Sequence, residues 1–369
     1  DVSTPSAPSE VGFYDTGGNA YGVYVSGSYA YVADRGDGLR VIDVSTPSAP
    51  SEVGFYDTGG YAWGVYVSAS YAYVADGNDG LRIIDVSTPS APSEVGFFDT
   101  PGSARGVYVS GSYAYVTDGY DGLRIIDVST PSAPSEVGFY DTGDYAMGVY
   151  VSGSYAYVAD GYDGLRIIDV STPSAPSEVG FYDTGDYASG VYLFESYAYV
   201  ADFEDGLRII DISTPSAPLE VGFYDTGNYA LDVFASGSYA YVTAGRYGLY
   251  ILDISYFTGI EETDSNKGLE PLAFAISAHP NPFNSAVTIT IDGSVGAHGR
   301  APSRVEIYDV NGRVIEIIPP APLNKGGVEQ RETGGLYTWQ PRESIGSGIY
   351  LVRASFGDES VTKRVVYLK

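Results

Sequence analysis

The 369-residue chain has no cysteine, a single methionine and two histidines, and both histidines, His279 and His298, lie in its last third. Without cysteine there is no disulfide framework, no thiol nucleophile and no thiolate metal site, and the redox compartment stays open on that count. The lack of histidine before His279 excludes a His-dependent triad or a His-ligated metal from everything upstream. Lysine is missing from residues 1–255, where 34 Asp and Glu face only 8 Arg. The net charge of −28 therefore falls almost wholly on that part, and residues 256–369 are close to neutral. So acidic a surface repels phosphate backbones and anionic headgroups, which argues against nucleic acid and against direct membrane insertion. No apolar run approaches the ~18 residues that a membrane-crossing helix needs.

Glycine (47), proline (21) and tyrosine (36) are plentiful. That mixture suits many short strands joined by tight turns and suits helices poorly. The dominant feature is a repeat of 42 residues that starts at Asp1 and recurs at Asp43, Asp85, Asp127, Asp169 and Asp211, with a partial seventh start at Asp253. Each unit holds four strand-like runs, in the first Glu10–Asp15, Tyr21–Val25, Tyr29–Ala33 and Leu39–Val44. Ser-Gly-Ser and Asp-Gly mark hairpins, and Thr-Pro-Ser-Ala-Pro marks a stiffer connection. Four short antiparallel strands per ~40-residue repeat predict one propeller blade each. A solenoid would need polar caps at both ends, and none is visible. The expected fold is all-β: a six-bladed β-propeller over 1–255, a polar acidic linker over 256–271 and an immunoglobulin-like β-sandwich over 272–369.

The segment Gly148–Ser171, GVYVSGSYAYVADGYDGLRIIDVS, resembles the LVIVD repeat, a propeller-forming unit of bacterial and archaeal surface proteins. The resemblance extends through all six units and implies that the strand beginning at Gly22-Val23 is innermost and Glu10–Asp15 outermost. The last unit ends at Leu249–Ile254, one strand short, so Glu10–Asp15 is expected to complete the sixth blade and seal the wheel. The tail carries HPNPFN (His279–Asn284), VEIYDVNGR (Val305–Arg313), SGIYLVR (Ser347–Arg353) and the closing Thr362–Lys369. These resemble the Ig-like type A sorting domain of type IX secretion, itself similar to the FlgD-like Ig domain. That likeness implies export across an outer membrane and an extracellular or cell-surface location. The loops Asp292–Ser303 and Pro319–Gly335 are longer than the family pattern. An opening at Asp1, inside a repeat and without Met, reads as a processed end whose export signal has gone.

Comparing the units with one another separates scaffold from variation. The strand cores and the STPSAPSE connection scarcely change, whereas the outer-to-inner crossing and the hairpin after Asp34, Asp76, Asp118, Asp160 and Asp202 do. Alternating strand direction sets both variable segments on one rim. The residue before the innermost strand differs in all six units: Tyr21, Trp63, Arg105, Met147, Ser189 and Leu231. These six are the candidate ligand-binding residues at the channel mouth; the competing reading is steric, since six identical large side chains cannot meet at one axis. The pairs Asp34/Asp37, Asp76/Asp79, Asp118/Asp121, Asp160/Asp163 and Asp202/Asp205 are candidates for Ca²⁺. Against that, Asp-Gly makes the turn unaided, and the first Asp can bond loop amides or the Arg of GLR. No other cofactor is implied. The hydroxyls beside proline, Ser45, Thr46, Ser87, Thr88, Ser129, Thr130, Ser171, Thr172, Ser213 and Thr214, are candidate O-glycan acceptors; the competing reading is a rigid connector.

A carboxylate-pair glycosidase is formally compatible with the composition. Yet the acidic residues recur by turn position in five units, whereas catalysis needs one asymmetric pair with separated pKa values. The reading is therefore no enzyme but an extracellular structural or interaction protein, self-associating through propeller–tail contacts into filaments or a surface layer. The alternative is a propeller that binds a surface carbohydrate, peptide or protein at the variable rim.

Overall fold

The computed structural model describes residues 1–255 and, beyond them, the backbone of seven strands. The chain divides into a unit at Asp1–Glu262 and a second at Thr263–Lys369. In the first unit, β1 (Gly22–Ser26), β2 (Tyr29–Ala33), β3 (Leu39–Asp43) and β4 (Ser51–Tyr56) form one antiparallel sheet in the order β1-β2-β3-β4. The same order recurs in β5–β8 (Gly64–Phe98), β9–β12 (Gly106–Tyr140), β13–β16 (Ala146–Tyr182) and β17–β20 (Ala188–Tyr224). The sixth sheet has three strands, β21 (Ala230–Ser236), β22 (Tyr239–Ala244) and β23 (Leu249–Asp253). These are the six blades of a β-propeller, and the strands at Gly22-Val23 and its equivalents pack against one another from blade to blade as the innermost layer.

The second strand of each blade, YAYVA in the first, is apolar on both faces because a blade has a neighbour on either side. Tyr31, Ala33, Leu39 and Val41 of blade one meet Ala62, Val65, Val67, Ala72, Val74, Ile84 and Val86 of blade two. The same mixed layer repeats between the next three pairs of blades. Five of the six inner strands carry glycine where the backbones nearly touch, Gly22, Gly64, Gly106, Gly148 and Gly190, and blade six has Asp232 there. A Cβ on Gly22 would stand 2.8 Å from the carbonyl oxygen of Trp63, and one on Gly64 2.8 Å from that of Arg105.

The closing stitch differs from the sequence expectation. Residues 10–15 form no strand, and the outer edge of β23 pairs with no strand among the described residues. Half of the stitch exists nonetheless. A Cβ on Gly12 would stand 2.3 Å from the carbonyl oxygen of Pro47, as one on Gly54 would from that of Pro89, and Thr16 Oγ1 donates to Asp34 Oδ1 at 3.0 Å. The segment thus takes the outer-strand position against blade one, while the strand that would complete it is not alongside. The two faces that would meet are correspondingly bare: Val23 is 65% exposed against 8% for Val65, and Leu249 52% against 1% for Leu207.

In the second unit, β24 (Phe274–His279), β25 (Val287–Gly293) and β28 (Gly335–Trp339) make one antiparallel sheet, ordered β24-β25-β28. A second joins β26 (Arg304–Asp309), β27 (Val314–Ile318), β29 (Gly348–Phe356) and β30 (Glu359–Tyr367) in the order β27-β26-β29-β30. The linker expected over 256–271 and most side chains on which an Ig-like reading turns lie outside the described residues.

Candidate functional site

Both variable segments do share one rim. The hairpin residue Arg35 exchanges two backbone hydrogen bonds with Ala62 in the crossing of the next blade, its N–H donating at 3.0 Å and its carbonyl accepting at 2.9 Å. Gly77 with Ala104, Gly119 with Ala146, Gly161 with Ala188 and Phe203 with Ala230 repeat the bridge. Among the described residues no such bridge joins Gly245 to Ala20, so the rim too is open at the seam.

Beneath the rim, the first Asp of each hairpin is a structural anchor. Asp34, Asp76, Asp118, Asp160 and Asp202 are fully buried. Thr58, Thr100, Thr142 and Thr184 donate to the last four of these at 2.5–2.6 Å. The crossing amides of Gly60, Gly102 and Asp144 donate to the second carboxylate oxygen of Asp76, Asp118 and Asp160. The Arg of GLR (Arg40, Arg82, Arg124, Arg166, Arg208) reaches the same Asp through Nε at 3.5–3.9 Å. Through Nη2 it reaches the second Asp of its own hairpin, Asp37, Asp79, Asp121, Asp163 or Asp205, at 2.5–3.8 Å. Nη1 faces a Glu of the outer strand. The guanidinium also covers a Phe of that strand, 5.0 Å from the ring centre for Arg40 over Phe55. Burial pushes the carboxyls of Asp76 and Asp160 up to about 6, and those of Asp118 and Asp202 in the same direction.

The residues expected to hold Ca²⁺, Asp34, Asp37, Asp76, Asp79, Asp118, Asp121, Asp160, Asp163, Asp202 and Asp205, have a cationic partner within the chain. In each hairpin one guanidinium already lies within ion-pairing distance of both carboxylates, so the positive charge that a bound cation would supply is provided by the chain itself. Asp79, Asp121, Asp163 and Asp205, like Asp37, are partly exposed partners of that arginine, whereas the first Asp of each pair is fully buried. Among the described residues no three His, Cys, Asp or Glu converge as a metal site.

The six mouth residues do not form a uniform ring. Tyr21 and Trp63 meet edge to face at 4.4 Å, and the Arg105 guanidinium lies 4.2 Å from the centre of the Trp63 ring. Arg105 also donates through Nε and Nη2 to the Tyr145 hydroxyl. Met147 follows, its carbonyl accepting from Thr117 Oγ1 at 2.6 Å. Ser189 is buried, and its hydroxyl is directed at the backbone carbonyls of Ala201, Ala230 and Leu231 rather than at the mouth. Leu231 is exposed beside the open seam.

Several rim residues went unnamed in the sequence reading. Arg35 lies over Tyr61 (5.0 Å), Trp63 (5.4 Å) and Tyr21 (6.0 Å). Farther round, Tyr120 packs on Tyr145, Tyr162 on Tyr187, Tyr187 on Phe203 and Phe203 on Tyr229, with ring centres 4.4–5.6 Å apart. One available signal was the hairpin Asp-x-x-Asp-Gly, whose second residue is Gly in three blades, Arg35 in the first and Phe203 in the fifth. A second aromatic series runs through the inner strands: Tyr24, Tyr66, Tyr108, Tyr150, Tyr192 and Phe234, at 4.7–5.1 Å per step. Burial lifts the Tyr66 phenol to about 12 and Tyr108 and Tyr192 in the same direction. On the opposite rim, the Ser and Thr residues named as glycan acceptors are all exposed, and Asp43, Asp85, Asp127, Asp169 and Asp211 each accept from the following Ser amide at 2.8–2.9 Å.

Six radial antiparallel blades with their variable loops gathered on one rim define a β-propeller. The chain belongs to the LVIVD repeat family: that repeat matches residues 1–16, 17–58, 59–100, 101–142, 143–184, 185–226 and 227–262. The five complete matches each span one blade, and the two partial ones hold the missing parts of a sixth. Residues 277–368 match the secretion system C-terminal sorting domain, which marks the protein for export to the cell surface or beyond. No curated protein is similar to the chain. Among solved structures it is similar to the computationally designed Ika8 protein, at 9% identity and a TM-score of 0.52 over 88% of this chain and 96% of that one. It is also similar to the beta-propeller domain of Cps50 (Swd1) from Myceliophteria thermophila, at 11% identity and a TM-score of 0.53 over 63% and 81%. At such identities the likeness concerns the fold alone. No helix among the described residues is long and apolar enough to cross a membrane.

Proposed function

We propose that the exported propeller is a non-enzymatic binding module whose ligand lies across the rim carrying Tyr21, Trp63 and Arg105. One observation carries this: in a scaffold that repeats almost unchanged, side-chain variation, exposed aromatic rings and arginines that pair with no carboxylate among the described residues coincide on a single rim. The acidic pairs, by contrast, are tied to arginines in every complete blade, a structural pattern and not a catalytic one. Surface aromatics of this kind give contact area at little conformational cost and suit carbohydrate or peptide. Binding of the full chain to a glycan and peptide array, with Trp63→Ala alongside, tests it. Signals lost in the variant support the rim, and signals unchanged reject it.

A second reading, self-assembly, is favoured by the bare seam. Leu249 on blade six and Val23 on blade one carry the two halves of an interface formed between consecutive blades elsewhere in the molecule. Such heterologous contacts between copies propagate into open fibres. Electron microscopy at high protein concentration decides it: uniform single particles reject assembly.

A further inference from the structure

We infer that the rim selects a carboxylate-bearing oligosaccharide, with Arg35 and Arg105 as its anion-binding residues; this rests on the rim-binding reading above and adds the ligand's chemical class. Five of the eight propeller arginines, those of the GLR segments, are each held by at least three carboxylates. Among the described residues, Arg35 and Arg105 have no carboxylate within ion-pairing distance, although the propeller around them is strongly acidic. Both instead stack on aromatic rings and share Trp63 as neighbour. The nearby rim carboxylates are otherwise occupied. Asp37 faces Arg40, Asp144 accepts from the Tyr162 amide at 2.7 Å, and Asp186 accepts from the Glu204 amide at 2.8 Å.

A guanidinium stacked on a ring is weakly hydrated and presents its N–H edge, whose planar fork matches a carboxylate. Arg105 directs Nε and Nη2 to the Tyr145 hydroxyl, which leaves Nη1 for a ligand. The backbone at Arg35 points the same way. It sits at φ +48°, where Gly77, Gly119 and Gly161 occupy the equivalent position at +55° to +61°. A left-handed conformation disfavours a non-glycine residue, and the other one at this hairpin position, Phe203 at φ +41°, likewise meets rim aromatics, Tyr187 and Tyr229. Trp63 has a guanidinium over its face at 4.2 Å, so it positions a cation more readily than it offers a bare platform to a neutral sugar. The exposed rings of Tyr120 and Tyr162 farther round the rim supply such platforms. Guanidinium forks between aromatic surfaces suit a sugar chain whose rings stack and whose carboxylates pair.

Calorimetry on the full chain tests the assignment with three probes: a uronic-acid tetrasaccharide, the same tetrasaccharide with its carboxylates reduced to alcohols, and a glutamate-rich peptide. The uronate is expected to bind at least about tenfold more tightly than the reduced sugar, and more weakly as salt rises. Arg105→Met, which installs the residue of the neighbouring blade, and Arg35→Gly, which installs that of three sister hairpins, are each expected to weaken the uronate about tenfold. Arg35→Gly also relieves the backbone, so a loss of binding with unchanged or raised melting temperature is not a folding defect. Equal affinity for uronate and reduced sugar, abolished by Trp63→Ala, overturns the anion assignment and leaves rim binding standing. Binding of the peptide alone overturns the sugar class. No binding by any probe, with array signals that survive Trp63→Ala, overturns both readings.

Discussion

The Arg105 guanidinium rests 4.2 Å from the centre of the Trp63 ring, and the two residues come from the same crossing position in successive blades. One repeat apart in sequence, they are neighbours because each blade restates the one before it. A double-mutant cycle with Trp63→Phe and Arg105→Met should return a coupling of about 0.5–1 kcal/mol in urea unfolding, the size of a partly exposed cation–π pair. Additive effects would mean the contact is not populated in solution.

The buried ion pairs beneath the rim set a much larger cost. Arg124 is nearly buried, with Nε 3.7 Å from the fully buried Asp118. Arg124→Ala strands that carboxylate and is expected to destabilise the propeller by about 3–5 kcal/mol, measured by chemical denaturation.

The same carboxyls give the fold a pH dependence of defined sign. Asp76 and Asp160 titrate near 6 in the folded chain because burial disfavours their charged form, above the ~3.9 of an unfolded Asp. Between those values the folded state holds more protons, so the contribution is full below pH ~4 and is lost as pH rises through 6. Asp118, Asp202 and Glu220 shift in the same direction. Asp43, Asp85, Asp127 and Asp169 shift downward through the hydroxyl and then the amide of the Ser two residues on, and act only at lower pH. Carbon NMR should show an Asp76 carboxyl midpoint near 6, and Asp76→Asn should lessen the fall in stability between about pH 4 and 6.

Two hairpins depart from the Ser-Gly-Ser of their sisters and are strained for it. Ala69 sits at φ +53° and Glu195 at +55°, where Gly27, Gly111 and Gly153 stand at about +58° to +59°. Ala69→Gly and Glu195→Gly are each expected to stabilise the protein by about 1 kcal/mol, read from the urea midpoint. A loss of stability would contradict the left-handed assignment.

The seam between blades six and one makes its own prediction. Val65→Asp buries a charge in an inter-blade core and should cost more than about 4 kcal/mol. Val23→Asp, at the equivalent place on blade one, should cost under about 0.5 kcal/mol because nothing covers it. If both substitutions unfold the protein alike, the wheel is sealed in solution by Glu10–Asp15, as the repeat arithmetic suggested.

Much of this was legible in the sequence because the repeat compares the protein with itself. The runs GVYVS, YAYVA and LRIID stand at fixed offsets between turn signals, so blade, strand order and shared rim follow from position alone. The role of Asp34 and its equivalents was half legible: Asp-Gly signals a turn, but only the fold carries Thr58 onto Asp76 across the width of a blade. Asp37, Asp79, Asp121, Asp163 and Asp205 were legible as turn residues three positions before an arginine, and that short spacing is what lets the guanidinium claim them. Arg35 escaped because its nearer ring neighbours, Tyr61 and Trp63, belong to the following unit, and the edge-to-face contact of Tyr187 with Phe203 joins two separate segments of one unit. Ser189 was read as a mouth residue because it shares a position with Trp63, yet a small hydroxyl there turns inward to backbone carbonyls. The incomplete stitch joins segments at opposite ends of the repeat array, which no local pattern encodes.

Trp63 is the sole tryptophan of the propeller, so its fluorescence in a Trp339→Phe background reports on the rim alone. On titration with the uronic-acid tetrasaccharide, the rim-binding account predicts a saturable change in Trp63 emission with the same midpoint as the calorimetric curve. Calorimetric binding with Trp63 emission unchanged throughout would place the ligand elsewhere and contradict it.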